Sequence, residues 1–305
     1  MYTFIVNRHS RSGLGEKVWM ELEQILKERA IEYEVHFTEY QRHATTISNR
    51  ITSDNKEHTI IALGGDGTIN EVVNGIVDLE KVTFGYIPVG SGNDFARGLN
   101  LPKDPKKALE VVLAGTRTHA INIGTIAYGN RIRRFAVSSG LGYDAAICHE
   151  VVVSKVKQFL NRIKLGKLTY VFVAIHRLFS SKQDEMTLVL DHERELRFPK
   201  TYFVAFMNNP YEGGGLMFAP DAKNDDNLLD IIVAADIPKM KVLRILPTAY
   251  KGNHTHFKGI HMFTAKHVEV HSKCPLAIHT DGEPIYLHRD AIINCEDKKL
   301  AVIVP

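Results

Sequence analysis

The sequence predicts an α/β domain built on a parallel sheet, followed by a mostly antiparallel, β-rich domain. Three observations carry this. Apolar runs alternate with amphipathic helical stretches through about residue 122, two glycine-rich loops each close such a run and open such a stretch, and beyond residue 122 the pattern turns to β-type alternation between Gly, Pro and Asp turns. A chain of 305 residues, 44% hydrophobic and 24% charged, can bury a substantial core and is long for one compact unit. The expected divisions are 1–122, 123–295, and a C-terminal strand in 296–305 that can return to the first domain.

The opening run YTFIV (2–6) reads as a buried strand, followed by a polar loop at 7–15 and a helix over about 17–29 with Trp19, Leu22, Ile25 and Leu26 on one stripe. The order repeats as YEVHF, a helix near 44–51, TIIAL, the loop GGDGT, and a helix through Val72, Val73 and Ile76. VTFGYIP and the loop VGSGNDFA follow. In such a sheet the loops meet at the carboxyl ends of the strands, where nucleotides bind. The second domain is read from RRFAVSSG, MTLVLD, ELRFPKTYFVAFMNN, LLDIIVAA, HVEVHS, LAIHTDG and PIYL.

Composition narrows the function. Cys148, Cys274 and Cys295 are too scattered for a disulfide framework or a zinc spacing and read as core thiols in a reducing compartment. The first six residues are too short an apolar stretch for a signal peptide, and no apolar run approaches the roughly 20 residues that span a bilayer. The expectation is a cytoplasmic protein, peripheral at the inner face of the membrane. A net charge of +3, with no nucleic-acid-binding motif, gives no reason to expect nucleic acid as a partner.

The loop Gly64, Gly65, Asp66, Gly67, Thr68 directly follows a strand and opens a helix. Glycines let the backbone approach an anion, and successive amides with the helix dipole favour negative charge there. Thr68 and Asn70 add hydrogen-bonding groups, and Asp66 suggests a Mg²⁺ between carboxylate and phosphates or a structural turn. Gly90, Ser91, Gly92, Asn93 and Asp94 repeat the logic after the next strand, so two loops make a cleft. No GxxxxGK[ST] sequence is present, which disfavours a P-loop kinase.

GGDGTINEVVNG followed by P-x-GSGNDFA resembles the diacylglycerol kinase catalytic-domain family, which includes bacterial soluble lipid kinases and the sphingosine kinases. SSGLGYDA, NNPYEGGGLMFAPDAKNDDNLLD and the DGE of Asp281–Glu283 resemble its later signatures in the same order, so the likeness covers the whole chain. The resemblance implies a phosphofructokinase/NAD-kinase-like first domain and a β-sandwich second domain. It implies ATP as phosphate donor, Mg²⁺, and transfer to the hydroxyl of diacylglycerol or a similar lipid alcohol. The implied nucleotide contacts are Asn7, Arg8, His9, Ser10, Arg11, Thr38, Gly64, Gly65, Asp66, Gly67, Thr68, Ile69, Asn70 and Ser91. Arg8 and Arg11 stand where the family has proline and glycine, two cations suited to a triphosphate. Glu283 matches the general base, with Asp66 and Asp94 approaching Mg²⁺ and phosphates; alone, DGE would read as a hairpin turn. A separate Mg²⁺ site is implied at the Asp226 carboxylate and the carbonyls of Lys223 and Leu228, with Asn227 at a position where the family prefers glycine. Some bacterial relatives are dimers, so a homodimer is also implied.

Residues 151–183 read as helical and carry seven Lys or Arg, among them Lys155, Lys157, Arg162, Lys164 and Lys167, and no Asp or Glu. The stretch suits an anionic membrane surface or a solvated helical face. His254, His256 and His261 have no metal-ligand spacing and read as surface or packing residues. Competing functions are a kinase for a sphingoid base, phosphatidylglycerol or NAD, and a non-catalytic ATP- or lipid-binding regulator.

Overall fold

The computed structural model describes residues 1–143, 145–146, 178, 180 and 183–305. The basic stretch with Lys155, Lys157, Arg162, Lys164 and Lys167 lies outside the described residues, as does Cys148.

The first half forms β1 (Tyr2–Val6), α1 (Ser10–Glu28), β2 (Tyr33–Phe37), α2 (His43–Thr52), β3 (His58–Gly64), α3 (Asp66–Gly75), β4 (Val82–Pro88), α4 (Asp94–Gly98), α5 (Pro105–Ala114) and β5 (Thr118–Ile121). The C-terminal strand β15 (Leu300–Ile303) joins their sheet, whose order is β2-β1-β3-β4-β15-β5. β15 runs parallel to β4 and antiparallel to β5, so the chain ends inside its first sheet. Near-continuous burial along β3 and β4 reflects helices on both faces. Ile60, Ala62, Phe84 and Tyr86 pack against α2, α3 and α4, whereas Phe4, Ile61 and Ile87 pack against Trp19, Leu22 and Leu109 of α1 and α5.

Register then sets the loops side by side. Val6 pairs with Leu63, and Gly64 pairs with Pro88, so the loops after β1, β3 and β4 leave one edge together. α1 begins earlier than periodicity predicts, but Arg11 (φ 46°), Ser12 (φ 58°) and Gly13 (φ 92°) break it, and regular helix lies beyond Gly13.

The second sheet contains β6 (Gly124–Tyr128), β7 (Arg131–Phe135), β8 (Ser138–Gly142), β9 (Asp184–Leu190), β10 (Arg194–Met207), β11 (Leu229–Ala235), β12 (Ile260–Ala265), β13 (His267–Thr280) and β14 (Glu283–Cys295). Its main path is β12-β11-β10-β8-β13-β14-β6-β7, with β9 bridging β10 and β13, and its pairings are antiparallel. β9 alternates buried and less buried positions, as a one-sided strand should, whereas β11 is buried throughout. Leu229, Ile231 and Val233 enter the main core; Ile232 is covered on the other face by Ala219 and Phe218 and Ala234 by Ile237 and Ile245. That cover includes α6 (Lys239–Ile245), a short helix the strand-type pattern does not predict.

Cys295 is buried and Cys274 is exposed, so the core-thiol expectation fails at Cys274, which sits in the stretch of β13 where pairing with β14 shifts register. Among the described residues no helix is long and apolar enough to cross a membrane.

Candidate active site

The two glycine loops touch backbone to backbone. A Cβ on Gly65 would lie 3.2 Å from the Cα of Gly90, and one on Gly90 only 2.6 Å from the Cα of Gly65, so side chains are excluded at this crossing. Tyr86 ties the loops from below, its hydroxyl lying 3.1 Å from both the Gly64 carbonyl and Asn93 Oδ1. Asn93 holds a left-handed backbone (φ 53°) that starts α4 and donates from Nδ2 to the Gly90 carbonyl at 3.0 Å.

Asp66 and Asp94 open α3 and α4 and face the same gap. A Cβ on Gly92 would lie 3.1 Å from Asp66 Oδ2 and 3.7 Å from Asp94 Oδ2. Asp66 Oδ1 accepts from the Phe95 N–H at 3.2 Å. Asp94 Oδ2 accepts from the Gly214 N–H at 2.6 Å, and its other oxygen pairs with Arg97. Desolvation, then the charge of Asp94, raises the Asp66 carboxyl to about 6, and desolvation also raises Asp94. Two desolvated carboxylates around one gap, with their charge incompletely compensated, fit a hard divalent cation such as Mg²⁺.

Because the folded-state value of Asp66 lies above its ordinary 3.8, its stabilising contribution is full below about pH 4 and disappears as pH rises through about 6. The difference corresponds to about 3 kcal/mol. In metal-free protein, Asp66→Asn is therefore expected to stabilise the fold at neutral pH but not near pH 4, as read by urea unfolding at both. An equal effect at the two pH values would contradict the assignment.

The third element comes from the second sheet. β13 and β14 join through Asp281 (φ 49°) and Gly282 (φ 78°), the paired left-handed conformations of a tight hairpin. The DGE segment is thus a hairpin turn, and it also delivers Glu283 to the glycine loop. A Cβ on Gly67 would lie 2.8 Å from Glu283 Oε1, so this glycine leaves the space the carboxylate uses. Asp281, buried beneath, accepts from the N–H groups of Val137 (2.8 Å), Ala136 and Ser138 (both 3.0 Å) and from Asn70 Nδ2 (2.8 Å). Gly282 N–H reaches His279 Nδ1 at 3.2 Å, and His279 Nε2 lies 3.2 Å from Glu212 Oε1, linking the turn to the GGG segment.

Ile69 and Asn70 correct one expectation. Both are buried, Asn70 completely, and the Asn70 side chain is occupied by Asp281, the Arg134 carbonyl and Arg133, which donates to Oδ1 at 2.7 Å. Their side chains face the core because residues 69, 70, 72 and 73 form the buried stripe of α3, leaving main chain for a nucleotide. Asn70 instead couples the glycine loop to the Glu283 turn.

The loop after β1 lies beside this centre. Asn7 Nδ2 donates to Thr68 Oγ1 at 3.1 Å, and Asn7 Oδ1 accepts from the His9 N–H. Thr38 is buried next to it, its N–H on the Val6 carbonyl. Arg8 lies over the Phe37 ring and 3.8 Å from Glu16, and its Nε is buried with no hydrogen-bond partner among the described residues. A guanidinium with an unsatisfied nitrogen, next in sequence to the Asn7 that bonds Thr68, fits an anionic phosphate chain. Ser10 and Arg11 begin the broken first turn of α1, and Ser91 lies exposed at the tip of the second loop.

The Asp226 loop is separate. Asp226 Oδ1 accepts from the Leu228 N–H at 3.0 Å, the Leu228 carbonyl accepts from Asn122 Nδ2 at 3.3 Å, and Asn227 takes the left-handed backbone (φ 64°). Asp230, which accepts from the Lys223 N–H, is raised to about 6 by desolvation and then by Asp226. This oxygen-rich set with an underscreened carboxylate fits Mg²⁺.

Residues 1–126 match the family model described as the diacylglycerol kinase catalytic domain, and 138–304 match the YegS C-terminal NAD kinase beta sandwich-like domain. A diacylglycerol kinase of Bacillus subtilis is 32% identical over 261 residues, covering 80% of this chain and 79% of its own. The chain belongs to the diacylglycerol kinase catalytic-domain family. A further relative within it, the diacylglycerol kinase of Mycobacterium tuberculosis H37Rv, is 32% identical over 229 residues, with 73% of this chain and 70% of the relative covered. A diacylglycerol kinase structure from Bacillus anthracis superposes with a TM-score of 0.72 at 21% identity, covering 100% and 96% of the two chains. An NAD kinase from Archaeoglobus fulgidus in complex with ATP shares the fold more distantly, with a TM-score of 0.56 at 12% identity over 99% and 93%.

For this kinase-family chain, motif reading misses several residues around the site. Arg97, Arg133, Glu71 and His279 are brought in by packing. Glu71 accepts from the Arg42 and Ala44 N–H groups, and Glu283 contributes to raising its pKa, after desolvation. Only Arg97 carries a local signal, three residues after Asp94 on the first turn of α4.

Proposed function

We propose that this chain is a lipid kinase that transfers the γ-phosphate of ATP to the hydroxyl of diacylglycerol or a closely similar lipid alcohol. The observation that carries this reading is the position of the Glu283 carboxylate against Gly67, where a base from the second sheet meets a phosphate-type loop of the first. The amides of the Gly64–Thr68 and Gly90–Asn93 loops orient the triphosphate, and Arg8 and Arg11 offset its charge. Asp66 and Asp94 would hold Mg²⁺, which when bound would supply neutralisation of charge on the phosphate oxygens. Glu283 accepts the hydroxyl proton as the lipid oxygen bonds to the γ-phosphorus and the bond to the β–γ bridging oxygen breaks, releasing ADP. Asp281 and Asn70 hold Glu283 through the turn and are positioning residues. The Asp226 loop would hold a second Mg²⁺, which would order the connection into β11.

The test is incubation with γ-labelled ATP, Mg²⁺ and a panel of diacylglycerol, a sphingoid base, phosphatidylglycerol and NAD. Label is expected in phosphatidic acid; label in NAD, or in no acceptor, would overturn the reading.

Peripheral contact with an anionic bilayer belongs to the same proposal. Residues 237–268 contain no Asp or Glu, and exposed Met240 (65%), Tyr250 (61%) and Phe257 (38%) accompany exposed Arg244, Lys251 and Lys258. Apolar side chains among cations suit an anionic headgroup layer, at about 1 kcal/mol per basic residue. The segment packs on the 213–220 loop, where the Met217 N–H donates to the Ala249 carbonyl, so the contact adjoins the loop that reaches Asp94. Lys155, Lys157, Arg162, Lys164 and Lys167 are proposed to add to it. Reversing Arg244, Lys251 and Lys258 to Glu is expected to cut co-sedimentation with phosphatidylglycerol vesicles at least about tenfold. Binding indifferent to the reversal and to salt would contradict it.

A further inference from the structure

We propose that His192, His267 and Glu269, on the second sheet, form a binding site for a borderline divalent cation of the Zn²⁺ class. The site is distinct from the all-oxygen Mg²⁺ positions described above. One ligand atom from each of the three residues lies within 4.8 Å of the others. His192 Nδ1 is 3.2 Å and His267 Nε2 is 3.4 Å from Glu269 Oε1. Tetrahedral coordination at about 2.0–2.1 Å places ligand atoms roughly 3.3–3.5 Å apart, so these separations already approach those of a bound ion.

The fold sets this arrangement by two independent constraints. The turn between β9 and β10 bends through left-handed Asp191 (φ 50°) and His192 (φ 62°). Asp191 pins that turn to the start of β13: its N–H donates to the His267 carbonyl at 2.9 Å, and its Oδ1 accepts from the N–H groups of Lys266 (3.0 Å) and His267 (2.8 Å). His267 and Glu269, two apart on β13, then present one face, and the His192 ring stacks on that of His267 with centroids 4.0 Å apart.

The donor chemistry is also prepared. His267 Nδ1 lies 2.6 Å from Asn294 Oδ1, an acceptor that keeps a proton on Nδ1 and leaves Nε2, toward Glu269, as the nitrogen that would bind the metal. Imidazole and carboxylate donors together favour Zn²⁺ over Mg²⁺. His192 is exposed and the other two are half-buried in an open depression that also includes Asn294 and Asp297, so a coordination position stays accessible from solvent. Occupancy would tie the β9–β10 turn to β13.

The test is calorimetric titration of the tag-free full chain with Zn²⁺ in excess Mg²⁺, which saturates the oxygen sites. One saturable Zn²⁺ site is expected, weakened at least about tenfold in His192→Asn, which keeps a residue tolerant of the left-handed backbone, and in Glu269→Gln. Zn²⁺ should raise the unfolding temperature of the wild type and not of the variants, and His256→Ala should behave as wild type. Absence of saturable Zn²⁺ binding to the wild type, or unchanged affinity in both folded variants, would overturn the site. Should either variant fail to fold by circular dichroism, the other decides.

Discussion

Glu283→Gln is expected to lower phosphate transfer by about 10²–10⁴-fold while leaving ATP affinity within about twofold. The substitution keeps the size of the side chain beside Gly67 and removes only its capacity to take a proton. Its loss should appear in kcat, because proton removal matters as the lipid hydroxyl attacks and contributes little to holding the nucleotide. Steady-state transfer to diacylglycerol, paired with equilibrium titration by a fluorescent ATP analogue, separates the two quantities. Retained turnover would remove Glu283 from the role of base, and lost nucleotide binding would make it part of the ATP pocket instead.

Asp281→Ala is expected to destabilise the fold by about 3–5 kcal/mol, a larger structural effect than any change at Glu283. Three backbone N–H groups, of Ala136, Val137 and Ser138, and the Asn70 amide converge on this buried carboxylate and would all lose their acceptor. Desolvation raises the Asp281 pKa, and the four donors work against it. Urea unfolding measures the loss; a change below about 1 kcal/mol would show that water or rearranged backbone replaces the carboxylate readily. Because Asp281 adjoins the turn carrying Glu283, any folded fraction should also transfer phosphate more slowly.

Much of this architecture is legible in the chain because its causes are local. The apolar runs of β1, β3 and β4 and the glycine loops that end the last two require neighbours only a few residues away. Periodicity likewise exposes the inward stripe of α3, and applied one turn earlier it would have placed the Ile69 and Asn70 side chains in the core. Motif adjacency to GGDGT masked that signal. Other features depend on contacts across the whole chain. Asn70 meets Asp281 across 211 residues and Arg133 across 63, and no local pattern marks either pair. The Glu283 turn could be matched to a family signature, but its fit against Gly67 arises only when β13 and β14 pair beside β8. α6 escaped the reading because its seven residues make only about two turns, too few for the helical period to stand out. The His192 cluster depends on a turn anchored by Asp191 to residues 75 and 76 positions away.

The most direct measurement is an experimental structure with Mg²⁺ and a non-hydrolysable ATP analogue. The terminal phosphate is expected over the Gly64–Thr68 amides, with the metal between it and the Asp66 and Asp94 carboxylates and Glu283 within one water of its open side. A triphosphate bound elsewhere, or a Glu283 carboxylate turned away from that phosphate, would contradict the assignment of this cleft as the phosphotransfer site.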